Sequence, residues 1–134
     1  MQQLKYFFTE YSAFGKDRQV VVWLAYMPTK LRVLHGQLEF SESTLARLPK
    51  LKKLENWQQT DLPEVISGLC DRYGVRFINL TPALIEETIR TGQLLYNSLN
   101  DTHLNRHGSL VVGQELARHF KPLNLRSTDA KQKN

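Results

Sequence analysis

At 134 residues, 41% hydrophobic and 23% charged, the chain has the length and composition of one folded domain with a modest core. Its single cysteine, Cys70, excludes an internal disulfide framework and a Cys-rich zinc site. No stretch approaches the roughly 20 apolar residues that cross a bilayer. The net charge of +5 is largely local, in Lys50, Lys52 and Lys53 and in the tail residues Arg126, Lys131 and Lys133. A nucleic-acid surface needs basic residues on one face with aromatics for stacking, and that pattern is missing, so the charge reads as a solvated surface.

The elements follow in chain order. Leu4, Phe7, Phe8, Tyr11 and Phe14 fall on one face of a helix running from about Gln3 to Phe14, with Gly15 as its expected stop. Val20 to Tyr26 is apolar throughout, which predicts a strand covered on both faces. Pro28 ends it, and Thr29 caps a short helix to about Leu34, before Gly36. Ser41 to Leu54 reads as helical, with Ser43 as its cap and Pro49 as a break; Asn56 to Thr60 reads as loop. Asp61 caps the next helix, Pro63 sits in its first turn, and Gly74 ends it. Cys70 in that helix reads as a small buried hydrophobe. Val75 to Leu80 is a second strand. Thr81-Pro82 opens a helix to about Arg90, with Gly92 beyond it. The last helix spans about Arg106 to Phe120 with Asn105 as its N-cap, and residues after Pro122 are expected to be disordered. This order is that of an α/β fold, a parallel sheet with helices on both faces. Two parallel strands are too few to bury themselves, so the half-sheet lacks neighbours.

Chemistry concentrates in Asn100-Asp101-Thr102-His103-Leu104-Asn105-Arg106-His107-Gly108. An Asp two residues before a His, just ahead of a helix, supplies two thirds of a Ser-His-Asp triad. There the imidazole moves the serine proton and the carboxylate fixes the ring tautomer. The plainer reading has Asp101 capping a turn and His103 packing on the last helix. A metal set of Asp101, His103 and His107 would need both imidazoles on one helix face, whereas His103 precedes the helix and His107 falls in its first turn. The serines, at 12, 41, 43, 67, 98, 109 and 127, all lack a Gly-x-Ser-x-Gly or Gly-Asp-Ser setting, so each reads as structural or solvated. Lys30, at the C-terminal end of the first strand, occupies the level where α/β sheets place their sites; it reads as a substrate contact or as a solvent-facing lysine. His35 and His119 have no partners evident in sequence.

The segments Val20-Val21-Val22-Trp23-Leu24-Ala25-Tyr26-Met27-Pro28-Thr29-Lys30, Gly74 to Pro82, and Tyr96 followed by Asp101 to Gly108 together resemble the C-terminal half of an SGNH/GDSL-type hydrolase. The closer likeness is to the polysaccharide O-acetyltransferase-like branch. The Asp-x-His-Leu-Asn run is the most specific part, and the resemblance spans roughly residues 15 to 120.

The resemblance implies a partial flavodoxin-like three-layer sandwich, with residues 1–121 as the C-terminal portion of the domain and 122–134 as a polar tail. It implies catalytic roles for Asp101 and His103 in acyl-ester chemistry, on an ester that can be carbohydrate-linked, with no metal or organic cofactor. The family's serine, glycine and asparagine motifs have no counterpart here, so the chain is expected to be inactive alone. The rival reading is a non-catalytic assembly module whose exposed sheet edge takes a partner chain or a second copy. The start of the chain lacks the apolar core of a signal peptide. That implies the cytoplasm if Met1 is the true start, and export if an N-terminal portion is missing.

Overall fold

The computed structural model describes residues 2–39, 41–55, 57–97 and 101–120; the expected polar tail lies outside them. Helix α1 spans Gln2–Arg18, four residues past its expected end at Phe14. Gly15 does not stop the helix. It is buried in the final turns, where a Cβ would meet Val22 Cγ2 at 2.8 Å. The glycine serves a close approach between the helix and the strand that follows it. The chain actually turns at Gln19, which adopts φ 53°, while Val20 N–H donates back to the Gly15 carbonyl at 3.0 Å. That bond is the long closure of a Schellman-type helix end, built here on a residue with a side chain.

Strand β1 covers Trp23–Tyr26 and strand β2 Arg76–Asn79. They pair in parallel with Trp23 opposite Arg76 and Tyr26 opposite Asn79. The expected strand from Val20 is shortened, because Val20 and Val21 are exposed rather than covered on both faces. Between the strands run α2 (Lys30–Leu34), α3 (Glu42–Arg47), a 3-10 turn at Pro49–Leu51, α4 (Lys52–Glu55) and α5 (Leu62–Tyr73). After β2 come α6 (Thr81–Thr91) and α7 (Arg106–His119).

Local chemistry sets most of these ends. Thr29 caps α2 by accepting from Arg32 N–H. Ser41, not the expected Ser43, caps α3 by accepting from Thr44 N–H. Asp61 stands at the N-cap of α5 without a side-chain cap bond. Gly74 and Gly92 end α5 and α6 in the left-handed region, which glycine enters without steric cost.

The sheet separates two apolar clusters. On one face Phe8 of α1 stacks on Tyr73 of α5, their centroids 5.8 Å apart, and packs with Leu69, Cys70, Val75, Val22, Leu24 and Phe77. Cys70 is fully buried, and burial pushes its thiol up to about 11, which keeps it an inert hydrophobe. On the other face Val33, Ile78, Leu80, Leu84, Leu95 and Tyr96 are buried with Trp23 and the apolar side of α7 against them. The described chain is therefore mostly helical around a small parallel sheet, an arrangement of the α/β class. The buried Arg32 ties the loop before α5 to α2, donating to Gln59 Oε1 and to the Thr60 carbonyl and hydroxyl. Among the described residues no helix is long and apolar enough to cross a membrane.

Candidate functional site

The site forms where the segment after α6 returns to the C-terminal end of β1. Leu95 and Tyr96 are buried and anchor its start. Tyr96 pairs with Leu104 in a single antiparallel bridge. Asn97 N–H donates to the His103 carbonyl at 2.9 Å and Asn105 N–H to the Leu95 carbonyl at 3.0 Å. Two short arms thus hold the loop that carries Asp101. The Tyr96 hydroxyl crosses to the Pro28 carbonyl at 3.1 Å, fixing the loop to the turn after β1. Burial pushes that phenol up to about 12, so it remains a donor.

Asn105 has more roles than the expected N-cap. Its Oδ1 accepts from Gly108 N–H at 2.9 Å, while its Nδ2 donates to the Leu94 carbonyl at 2.6 Å and the Tyr96 carbonyl at 3.3 Å. One side chain therefore starts α7 and closes the bridge. Gly108 lies so close to this bridge that a Cβ would collide with the Leu95 carbonyl.

Within this frame Asp101 and His103 come together. Asp101 Oδ1 accepts from the His103 backbone N–H at 2.8 Å and lies 2.6 Å from His103 Nδ1. Its other oxygen accepts from Asn97 Nδ2 at 3.0 Å. The backbone bond from His103 is the largest of the effects that hold the Asp101 carboxyl below its ordinary range. The carboxylate thus makes an Asx turn and contacts the ring at once, a geometry compatible with either reading of Asp101. The His103 side chain is 86% exposed and does not pack against α7. With Nδ1 held by a carboxylate, the ring presents Nε2 to solvent, the atom that accepts a proton in a Ser-His-Asp arrangement.

Lys30 also helps to hold the loop. Its Nζ donates to the Asn97 carbonyl at 3.1 Å and the Asp101 carbonyl at 3.4 Å, straddling the loop that holds the carboxylate. Sequence reasoning also passed over Asn97 and the Tyr96 hydroxyl. Tyr96 entered only as part of the family resemblance, and the signal for Asn97 was its closeness in sequence to Asp101.

No serine completes the set among the described residues. The Ser109 hydroxyl donates to the Asn105 carbonyl, and Ser41 and Ser43 bond each other. Ser98 and Ser127 lie outside the described residues. His107 does not join Asp101 and His103. Its Nε2 lies 2.6 Å from Glu87 Oε1 and its Nδ1 3.2 Å from Gln93 Oε1, locking α7 to α6. Arg90 grips Glu87 through two bonds of 2.7 Å, and this is the main effect that lowers the Glu87 carboxyl. Among the described residues no group of three His, Cys, Asp or Glu could hold a metal ion. His35 and His119 have partners after all: His35 meets the Trp57 carbonyl at 2.9 Å, and His119 meets Glu115 at 3.2 Å with its ring edge toward Trp23.

No family model, curated protein or solved structure matches the chain. The likeness to SGNH hydrolases rests on the quoted residues alone.

Proposed function

We propose that this chain supplies the Asp-His half of an SGNH-type acyl-transfer site, with Asp101 as orienter and His103 as general base. The observation that carries the reading is the 2.6 Å contact between Asp101 and Nδ1 of a solvent-exposed His103 ring. The fold it belongs to would be a flavodoxin-like sandwich, of which β1 and β2 are two adjacent parallel strands. Asp101 and His103 stand on the loop fastened to the C-terminal end of β1, the level at which open α/β sheets bind ligands.

The chemistry follows from the two side chains. His103 Nε2 would take the proton of a serine hydroxyl as that oxygen attacks an ester carbonyl, and return it to the departing alkoxide. Asp101 would keep the proton of the neutral ring on Nδ1 and stabilise the imidazolium that forms. The substrate class is an oxygen ester, including an O-acetyl group on a sugar, and the serine comes from another stretch of polypeptide.

The test is p-nitrophenyl acetate hydrolysis with His103→Ala as control. The isolated chain should show no His103-dependent turnover above background. If the coding DNA upstream of Met1 holds a Gly-Asp-Ser motif, the joined polypeptide should hydrolyse the ester and lose at least about 100-fold in His103→Ala, the scale of a general base. Robust His103-dependent turnover by the isolated chain would refute the need for an outside serine. An inert joined polypeptide, or an upstream frame without such a motif, would remove the acyl-transfer reading.

A further inference from the structure

Helix α1 has two apolar faces, and only one of them is used. Phe8 is buried against α5. Leu4, Phe7, Tyr11 and Phe14 form a second stripe at spacings of three, four and three, and remain 40–55% exposed. Phe7 and Tyr11 already stack on each other, centroids 4.7 Å apart. The stripe runs on into Val20 and Val21, which are 49% and 69% exposed, around an open groove lined by Tyr11, Phe14, Val20, Val22 and Trp23, with Glu10 at its side.

The backbone beside this groove is also unused. The Val22 and Tyr26 carbonyls accept from Arg76 and Leu80 N–H across the sheet. Alternation along a parallel strand then turns the N–H and C=O groups of Trp23 and Ala25 to the opposite edge. No described residue bonds them there. Native sheets blunt such edges with charges, prolines or bulges, yet Val20 to Met27 contains neither a charged residue nor a proline.

We propose that a second copy of this chain occupies the surface, through antiparallel pairing of β1 with its symmetry mate and of α1 with α1. Both halves of the surface are compatible with a two-fold axis. A strand edge pairs with itself in antiparallel register, and a helix stripe of three-four-three spacing packs against its own copy. The result is a four-stranded sheet in place of two strands, which reaches the size at which a sheet is independently stable. The area suffices. At roughly 150–250 Å² for a whole aromatic side chain and somewhat less for Leu and Val, the exposed parts of these six residues amount to about 500 Å² per copy. Together the two copies reach the ~1,000 Å² that a specific interface needs. Neither Asp101 nor His103 takes part in this dimer, but strands that complete the proposed sandwich beyond β1 would compete for the same edge, so the pairing belongs to the chain by itself.

Sedimentation velocity of the full chain between about 1 and 200 μM tests the dimer. The expected result is a concentration-dependent pair of 15.6 kDa chains. Val21→Lys just before β1 and Phe14→Glu on the helix should each weaken pairing by at least about 30-fold, the effect of losing one interface hot spot. Circular dichroism spectra should stay unchanged. Leu110→Lys, at an exposed position of α7, should leave the equilibrium unaltered. A monomer throughout the range would overturn the proposal and point to a different polypeptide as occupant. So would open-ended assembly, a dimer indifferent to both surface variants, or an equal response to Leu110→Lys.

Discussion

Gly108 of α7 sits directly against the carbonyl of Leu95, the same carbonyl that accepts the Asn105 N–H. The helix that follows His103 is thereby seated on the arm that precedes Asp101. No side chain fits between them. Gly108→Ala should therefore cost about 3 kcal/mol or more, at the upper end of overpacking penalties, and should raise amide exchange at Asn97 and Asn105. Gly113 lies in the same helix with open space around its Cα. Gly113→Ala should stabilise by about 0.5–1 kcal/mol, since alanine forms helix more readily. Thermal unfolding of the two variants separates a packing role from a general intolerance of substitution in α7.

Tyr96→Phe removes a hydroxyl that reaches from the bridge to the turn after β1 and leaves the Pro28 carbonyl without that donor. The expected loss is about 1–2 kcal/mol. Its signature is faster amide exchange at Asn97, with protection in α5 unchanged relative to global stability. Uniform loosening would show that Tyr96 serves the core rather than the loop.

Gln19 holds a left-handed conformation that costs a residue with a side chain about 1 kcal/mol. Gln19→Gly relieves this strain, although it also frees the unfolded chain. The net expectation is a gain of a few tenths to about 1 kcal/mol, read from urea denaturation. A loss would mean that the Gln19 side chain contributes more than its backbone strain costs.

Asp101 and Glu87 both hold their protons less tightly in the folded chain than the ordinary values of 3.8 and 4.5. The folded state then binds fewer protons than the unfolded state. The stability these groups contribute is full above the ordinary carboxylate range and is lost as pH falls through their lowered values. Unfolding free energy should accordingly drop below about pH 4. Glu87→Gln should lower stability at pH 7 and narrow the difference between pH 7 and pH 3. An unchanged pH profile in that variant would exclude the Glu87 network as a source.

The elements most legible in the sequence were those whose cause lies within a few residues. Asn105 accepts from an N–H three positions on, and Gly74 and Gly92 close the helices they end, so their residue types declared them. Gly15 misled for the same reason. Seen locally, a glycine after an amphipathic run looks like a stop, whereas its need arises from Val22 folding back across it. Ser41 and Ser43 are chemically equal as caps, and only the path of the backbone selected Ser41.

Spacing alone also set the contact between Asp101 and His103, because a carboxylate two residues before an N–H closes an Asx turn unaided. Exposure of the ring was beyond its reach. So was the place of the loop in the fold, which rests on Lys30 reaching loop carbonyls 67 and 71 residues away and on Tyr96 reaching Pro28 across 68. The pairing of His107 with Glu87 rather than Asp101 likewise came from α6 packing on α7. Sequence fixes bonds between neighbours, because few torsions separate them. Bonds between distant groups form only where the buried clusters on the two sides of the sheet lock the elements into register.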